Sequence, residues 1–432
     1  MTTRFIDLPF VIRRPTGVVV VSVKAAGAAT DPKLCRYPQV PFAVVRSFTV
    51  AERRARLARR HFLSAHAQSQ AHVVGDVVGL HATDPATPYL SLWARVPGFS
   101  LADLDDELYQ RRGLMKHLAM RRTLWVIRTE DLPLIQAGAS DRVADNERRK
   151  LVADALKAGI CVDGDAWLDT ASAAVLTHLS THGPTSARDL RAALPELAGQ
   201  HDPAPGKRWG GETPLAPRIL TVLAVRGDIV RGPNDGSWTV SRPRWAPMSG
   251  WLRSTPDAAS AEVARTASVR RWLRAFGPAT VTDIKWWFGN TLTWARQALV
   301  DIEAVEVDLD GTPGFVLPDD LEVEPDAEPW CALLPGLDVT TMGWFDRDWY
   351  LGGHRSQVFD TNGNGGPTAW CDGRIVGAWG QDADGRVDLR LLEDVGRTAQ
   401  KALQRRADEL TEWLAGVRVS PRFPSPLSKA RN

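Results

Sequence analysis

One helix start is written three times along this chain of 432 residues. Gly98-Phe99-Ser100-Leu101-Ala102-Asp103-Leu104, Gly183-Pro184-Thr185-Ser186-Ala187-Arg188-Asp189-Leu190 and Gly277-Pro278-Ala279-Thr280-Val281-Thr282-Asp283-Ile284 each set a Ser or Thr shortly after a glycine, an Asp three positions on, and then an aliphatic residue. The hydroxyl of Ser100, Ser186 or Thr280 caps free backbone amides, while the Asp caps back and suits the positive end of the helix dipole. A recurring start predicts a recurring module.

The segments after these starts are also alike. After the second, a helix-like segment at 219–225 leads to a strand at Asp228-Ile229-Val230, a turn at Pro233-Asn234-Asp235-Gly236 and a strand at Trp238-Thr239-Val240. After the third, residues 294–302 lead to Val305-Glu306-Val307, a turn at Asp310-Gly311, and Phe315-Val316-Leu317. After the first, residues 114–120 read as the helix that turns into Leu124-Trp125-Val126-Ile127, with no clear second strand. Short helices closed by a small hairpin describe a winged helix, a relative of the helix-turn-helix that lays one helix in a DNA groove. Packing or protein docking by the same modules is the plainer alternative.

Beyond Pro329 the character changes to strands: Trp330-Cys331-Ala332-Leu333-Leu334, Thr368-Ala369-Trp370-Cys371, Ile375-Val376-Gly377-Ala378-Trp379 and Val387-Asp388-Leu389-Arg390-Leu391, with Asp372-Gly373 as a hairpin turn. A last helix is expected over 395–414, with Leu403, Ala407, Leu410 and Leu414 on one stripe. The expected fold is therefore α+β: three tandem winged-helix modules at 45–169, 170–259 and 260–328, then a small β-rich domain at 329–432 closed by a helix. Residues 1–44 show no clear period and read as an arm, either disordered or the product of a start assigned too early. The first convincing element after them is the capping box Thr49-Val50-Ala51-Glu52, which opens an Arg-rich helix.

Composition excludes several classes. At 44% hydrophobic and 24% charged the chain is ordinary for a globular protein, and no apolar window approaches a bilayer span, so a cytoplasmic protein is expected, nucleoid-associated when bound to DNA. Cys35, Cys161, Cys331 and Cys371 are scattered, which supports neither a disulfide framework nor a metal site. A net charge of +2 does not itself argue for nucleic acid, so the distribution of charge carries the weight. Arginine pairs recur along the chain. Arg121-Arg122 are the best placed, where the first module turns from helix to strand. Among the 17 Trp, Trp286-Trp287 directly follow the third start; they either stack on bases or pack the interior. Asp346 and Asp348 flank Arg347, which favours an ion-pair network over a cation site.

The stretch Val78-Gly79-Leu80-His81-Ala82-Thr83-Asp84-Pro85-Ala86-Thr87-Pro88-Tyr89-Leu90-Ser91-Leu92-Trp93-Ala94-Arg95 resembles a segment of the bacterial YcaQ/AlkZ-like family. Met120-Arg121-Arg122-Thr123-Leu124 is similar to that family's first wing, Leu333-Leu334-Pro335 with Asp338 and Asp346-Arg347 to its C-terminal signature, and Asp372-Gly373-Arg374-Ile375-Val376-Gly377 to its β-hairpin. The resemblance implies a tandem winged-helix protein in a family that includes DNA glycosylases acting on bulky alkylpurines and interstrand crosslinks. Active members carry Gln-aliphatic-Gln or Gln-aliphatic-Asp where this chain has His81-Ala82-Thr83.

That departure sets the candidate chemistry. Hydrolysing a glycosidic bond needs a polar group that positions water and steadies positive charge on the sugar. His81, kept neutral, accepts a hydrogen bond from water; Thr83 orients that water; and Asp84 supplies the negative charge that the motif lacks. The plain reading places His81 and Thr83 as satisfied polar residues at a helix end and Asp84-Pro85 at a turn. Arg95, Arg121 and Arg122 are the candidate phosphate contacts. Double-stranded DNA is the expected partner, with no membrane or protein partner, and no cofactor or metal is implied. A DNA-binding protein without catalysis, a regulator or lesion recogniser, is the alternative.

Overall fold

The computed structural model describes residues 7–14, 17–24, 45–208, 210–254 and 257–429. Contacts divide the chain into two units, residues 1–44 and 45–432. In the first, the described backbone is an antiparallel hairpin of Asp7–Arg14 and Gly17–Lys24. The remainder of the expected arm lies outside the described residues.

The three helix starts behave as their sequence dictates. Ser186 Oγ accepts from Asp189 N at 3.2 Å and opens Ala187–Ala193. Thr280 Oγ1 accepts from Asp283 N at 3.1 Å, and Asp283 Oδ2 accepts from Thr280 N at 2.9 Å, opening Val281–Phe288. Asp103 Oδ2 accepts from Ser100 N at 2.8 Å before Leu101–Asp105. The Arg-rich helix Val50–Arg60 is capped by Thr49, but Glu52 does not return the bond; its carboxylate instead takes Arg46 and the backbone of Glu324.

The second segment runs helix Gly164–His182, strand Thr185–Ser186, helices Ala187–Ala193 and Ala216–Arg226, then strands Ile229–Asn234 and Pro243–Pro247, with the last strand central in the sheet. The closing strand starts at Pro243, not at the expected 238–240. Asn234 Nδ2 donates to Val240 O at 2.9 Å and extends the turn, and Trp238 leaves it to pack on Tyr89 and Trp413. The third segment places Ala261–Phe276, Val281–Phe288 and Leu292–Asp301 before the hairpin Val305–Leu309 and Thr312–Val316.

In the first segment the expected helix at 114–120 does not form; only Met120 enters a helical turn, the single 3-10 turn Met120–Arg122. Leu114–Leu118 is a strand paired antiparallel with Leu124–Arg128, whose other edge carries Leu80–His81. A short apolar run satisfies either period, and here the ladder with 124–128 decides it. Arg121 and Arg122 consequently occupy the tight turn of a hairpin, with φ of 54° and 62°.

The C-terminal strands Cys331–Leu334, Thr368–Cys371, Arg374–Gln381 and Val387–Leu391 form one antiparallel sheet in sequence order. The helix Gly396–Leu414 covers it with Leu403, Ala407, Leu410 and Leu414, all buried. Cys331 lies opposite Cys371 in this sheet and the two are joined as a disulfide, against the expectation of none. Their register brings together cysteines 40 residues apart. One apolar core runs from Leu57 to Ile375 through the first, third and C-terminal segments and takes in Val230, Ala246, Met248 and Trp251 of the second, whose helices pack in a separate core between Leu151 and Trp245. No helix among the described residues is long and apolar enough to cross a membrane.

Candidate nucleic-acid site

Strand alternation sets the first part of the site. His81 pairs with Trp125, and Trp125 with His117, so the three share one face of the sheet at 80–128. His81 is 3% exposed, against the Trp125 ring at 5.0 Å. Burial, and secondarily the charge of Arg121, lower its pKa to about 3, so the ring is neutral at ordinary pH. Its Nδ1 accepts from Thr83 N at 3.4 Å, which fixes the proton on Nε2. No described residue partners Nε2. Thr83 Oγ1 accepts from Leu124 N at 3.1 Å, leaving its hydroxyl proton to donate.

Asp84 does not join them. Its Oδ1 accepts from Ala86 N at 3.1 Å and its Oδ2 from Arg422 N at 2.9 Å, tying the turn before Thr87–Trp93 to the C-terminal tail. Burial raises its pKa, and both oxygens are occupied by backbone. The expected carboxylate beside His81 is therefore a turn residue, as the plain reading of Asp84-Pro85 held.

Of the three arginines read as phosphate contacts, Arg95 has no exposure at all. Its Nη1 and Nη2 grip Asp338 at 2.9 and 2.8 Å, Nε donates to His61 O, and the remaining donors reach Ser91 O and Thr340. With its donors taken inside the core, Arg95 is a structural ion-pair residue, and the phosphate expectation is corrected. Arg122 is exposed and its Nε pairs with Glu147 at 2.7 Å. Arg121 is half-buried, its guanidinium carbon 4.0 Å from the centre of the Trp286 ring. Burial and then the charge of Arg347 lower its pKa to about 10, which leaves it cationic.

Helix Val281–Phe288 organises this second part. Its exit at Gly289 has φ of +61°, and a Cβ there would meet Arg121 Cγ at 2.8 Å, so the helix end abuts the hairpin turn. At its start, Asp283 Oδ1 accepts from Phe345 N and Asp346 N at 2.8 and 3.0 Å and holds the loop that carries Arg347. Arg347 is 3% exposed and reaches Trp286 from that loop, 5.0 Å from the ring centre. The expected ion pairs with Asp346 and Asp348 do not form: both carboxylates belong to exposed residues and the guanidinium turns inward over Trp286 and Phe359. Sequence reading missed this convergence of Trp286, Arg121 and Arg347. The only signals were the doubled Trp after the third helix start and the Asp-Arg-Asp run. Among the described residues no group of three or more His, Cys, Asp or Glu is placed to hold a metal.

The site thus offers a neutral imidazole, a hydroxyl and two guanidinium groups, a set suited to a polyanion and to hydrogen bonding of water or a base edge. A sequence model of the AlkZ-like DNA glycosylases matches residues 74–413. The fold is similar to that of the Streptomyces sahachiroi DNA glycosylase AlkZ, with a TM-score of 0.67 at 21% identity over 87% of this chain and 99% of that one. A search among curated protein sequences finds no match. Since the family model spans most of the chain, including the strand that carries His81 and the loop that carries Arg347, the protein belongs to the AlkZ-like DNA glycosylase family.

Proposed function

We propose that the protein hydrolyses the N-glycosidic bond of alkylated or crosslinked purines in double-stranded DNA, as a monofunctional DNA repair glycosylase of the cytoplasm. Family membership supports the reaction class, and the observation that carries the site is His81: buried, neutral, and with Nε2 unpartnered among the described residues. The three helix-and-hairpin segments act as winged helices that grip the duplex, with Arg121 and Arg122 on phosphates.

An N7-alkylated purine is already cationic. When the bond from C1′ to the base nitrogen breaks, the electron pair passes into the ring and neutralises it, so no acid is required. Water adds to C1′ and its proton leaves to solvent. A neutral His81 adds no positive charge beside the sugar cation; its Nε2–H is a donor to one lone pair of the water oxygen, not the acceptor expected from sequence, while the remaining lone pair of Thr83 Oγ1 accepts a proton of the same water and leaves the other water lone pair to add to C1′. The test is single-turnover release of base from a duplex holding one N7-alkylguanine. Release by wild type that falls by two orders of magnitude in His81→Ala supports the assignment; equal rates remove His81 from the mechanism.

The second reading, a regulator or lesion recogniser without catalysis, is favoured by one observation. Asp84, the carboxylate nearest to His81 in sequence, has both oxygens occupied by backbone amides, so it is not available as a base. Tight binding of the same duplex with no base release supports that reading.

A further inference from the structure

Several arginines withdrawn from solvent are matched by carboxylates, among them Arg56, Arg60, Arg95, Arg128, Arg265 and Arg390. Arg347 and Arg121 are not. Neither side chain forms a hydrogen bond or ion pair with any described residue, and Nε and Nη1 of Arg347 and Nε of Arg121 are buried without a partner. A guanidinium withdrawn from water without an acceptor is strongly disfavoured, and a second cation beside it adds repulsion. The Trp286 face under both groups attracts their charge, but it accepts no hydrogen bond in the guanidinium plane. The nearby carboxylate of Asp283 is fully engaged, by Thr280 on one oxygen and by Phe345 and Asp346 on the other.

We propose that Arg347 and Arg121, which both contact the Trp286 ring, form a clamp for one phosphodiester group of the bound DNA strand. The inference rests on the proposed function and deepens it, since it assigns Arg347, a residue buried at the base of an exposed loop, to the substrate. A phosphate oxygen accepts from the free N–H groups of each guanidinium, and its charge removes their mutual repulsion. Arg121 lies in the turn that leads into Leu124–Arg128, the strand whose Trp125 pairs with His81, so a phosphate held there lies at the His81 end of that sheet. Filling the clamp also lifts an obstacle to catalysis: two free cations beside the sugar oppose the positive charge that develops there, and two neutralised ones do not.

The experiment is duplex binding by fluorescence anisotropy over a range of salt, with wild type, Arg347→Met and Arg121→Met. Each substitution is expected to weaken binding about tenfold and to reduce the slope of log affinity against log salt by about one. Single methylphosphonates are then scanned along each strand. At one position the neutral linkage weakens wild type and leaves Arg347→Met unaffected. Thermal unfolding of the free protein provides a second readout: removing an unpaired buried cation leaves Tm unchanged or raises it, whereas a structural arginine would lower it. Unchanged affinity and salt slope in both variants overturns the clamp. So does a Tm raised by inorganic phosphate in wild type but not in Arg347→Met with no methylphosphonate effect, which assigns the site to free phosphate. All these readouts are binding, so a clamp that holds in a protein that releases no base separates this inference from the glycosylase reading.

Discussion

Asp338 holds Arg95 with both carboxylate oxygens, at 2.9 and 2.8 Å, and neither side chain has any solvent exposure. Ser91 Oγ and Thr340 N donate to the same carboxylate, and Arg95 Nε reaches back to His61 O. The pair joins the segment after His81 to the loop beyond Cys331–Leu334, and so sets the position of the His81 strand relative to the C-terminal sheet. Burial raises the Asp338 pKa, but Arg95 and the hydrogen bonds outweigh it and hold the carboxyl below its usual range.

Breaking that pair tests its structural assignment. Asp338→Asn leaves Arg95 buried and uncompensated, a loss of about 3–5 kcal/mol. Urea unfolding should show it, while any folded fraction retains the wild-type salt dependence of DNA binding. The sign of the pH effect comes from the lowered pKa. The stabilisation is complete above the ordinary carboxylate range near pH 4 and disappears only as the pH falls through the lower folded value.

Three buried histidines add to the loss of stability on the acid side, and their contribution begins at higher pH. Burial is the main cause that lowers His61 and His81 to about 3 and His117 to about 4. The unfolded chain protonates near pH 6.5, so stability is full above that value and falls as the pH drops toward the folded values. Linkage puts the loss at about 2 kcal/mol per histidine at pH 5. Unfolding free energies at pH 7.5 and 5 measure it, and His81→Gln should lose less than wild type. Base release, in turn, should show no ionisation of His81 between pH 5 and 8; an acid limb near 6.5 would assign it a charged role.

Asp84 separates structure from chemistry. Asp84→Ala removes acceptors for Ala86 N and Arg422 N and should cost about 1 kcal/mol, as loss of a cap does. Amide exchange should quicken at Ala86 and Arg422, with single-turnover base release within about twofold of wild type. A loss of release by two orders of magnitude, with exchange unchanged, would return Asp84 to the catalytic set.

Gly289 tests whether position, rather than charge alone, makes the cationic site. Gly289→Ala strains a φ of +61° and drives a methyl group into Arg121 Cγ. It should cost about 1 kcal/mol of stability and weaken duplex binding, although no charge is removed. Anisotropy of the glycine variant beside Arg121→Met reads the comparison, and wild-type affinity would show that the turn is not a ligand contact.

Features set by neighbours along the chain were legible in the sequence. The Ser100, Ser186 and Thr280 starts, the Asp310-Gly311 and Asp372-Gly373 turns and the stripe of Leu403, Ala407, Leu410 and Leu414 all rest on hydrogen bonds or periodicity within a few residues. The short apolar run at 114–118 carries no such local decision, and pairing with 124–128 made it a strand. The site residues were partly legible by type and not by role. Arg95 and Arg121 are both arginines near the motif, yet a carboxylate 243 residues away removes the first, while the second meets an indole and another arginine from distant segments. Asp84 has the same history, through a backbone amide 338 residues on. The chain alone determined which residues carry hydrogen-bonding and charge. Only tertiary structure decided which of those groups were already matched, because a buried ion pair or hydrogen bond depends on the partner's position in space and not on its distance along the chain.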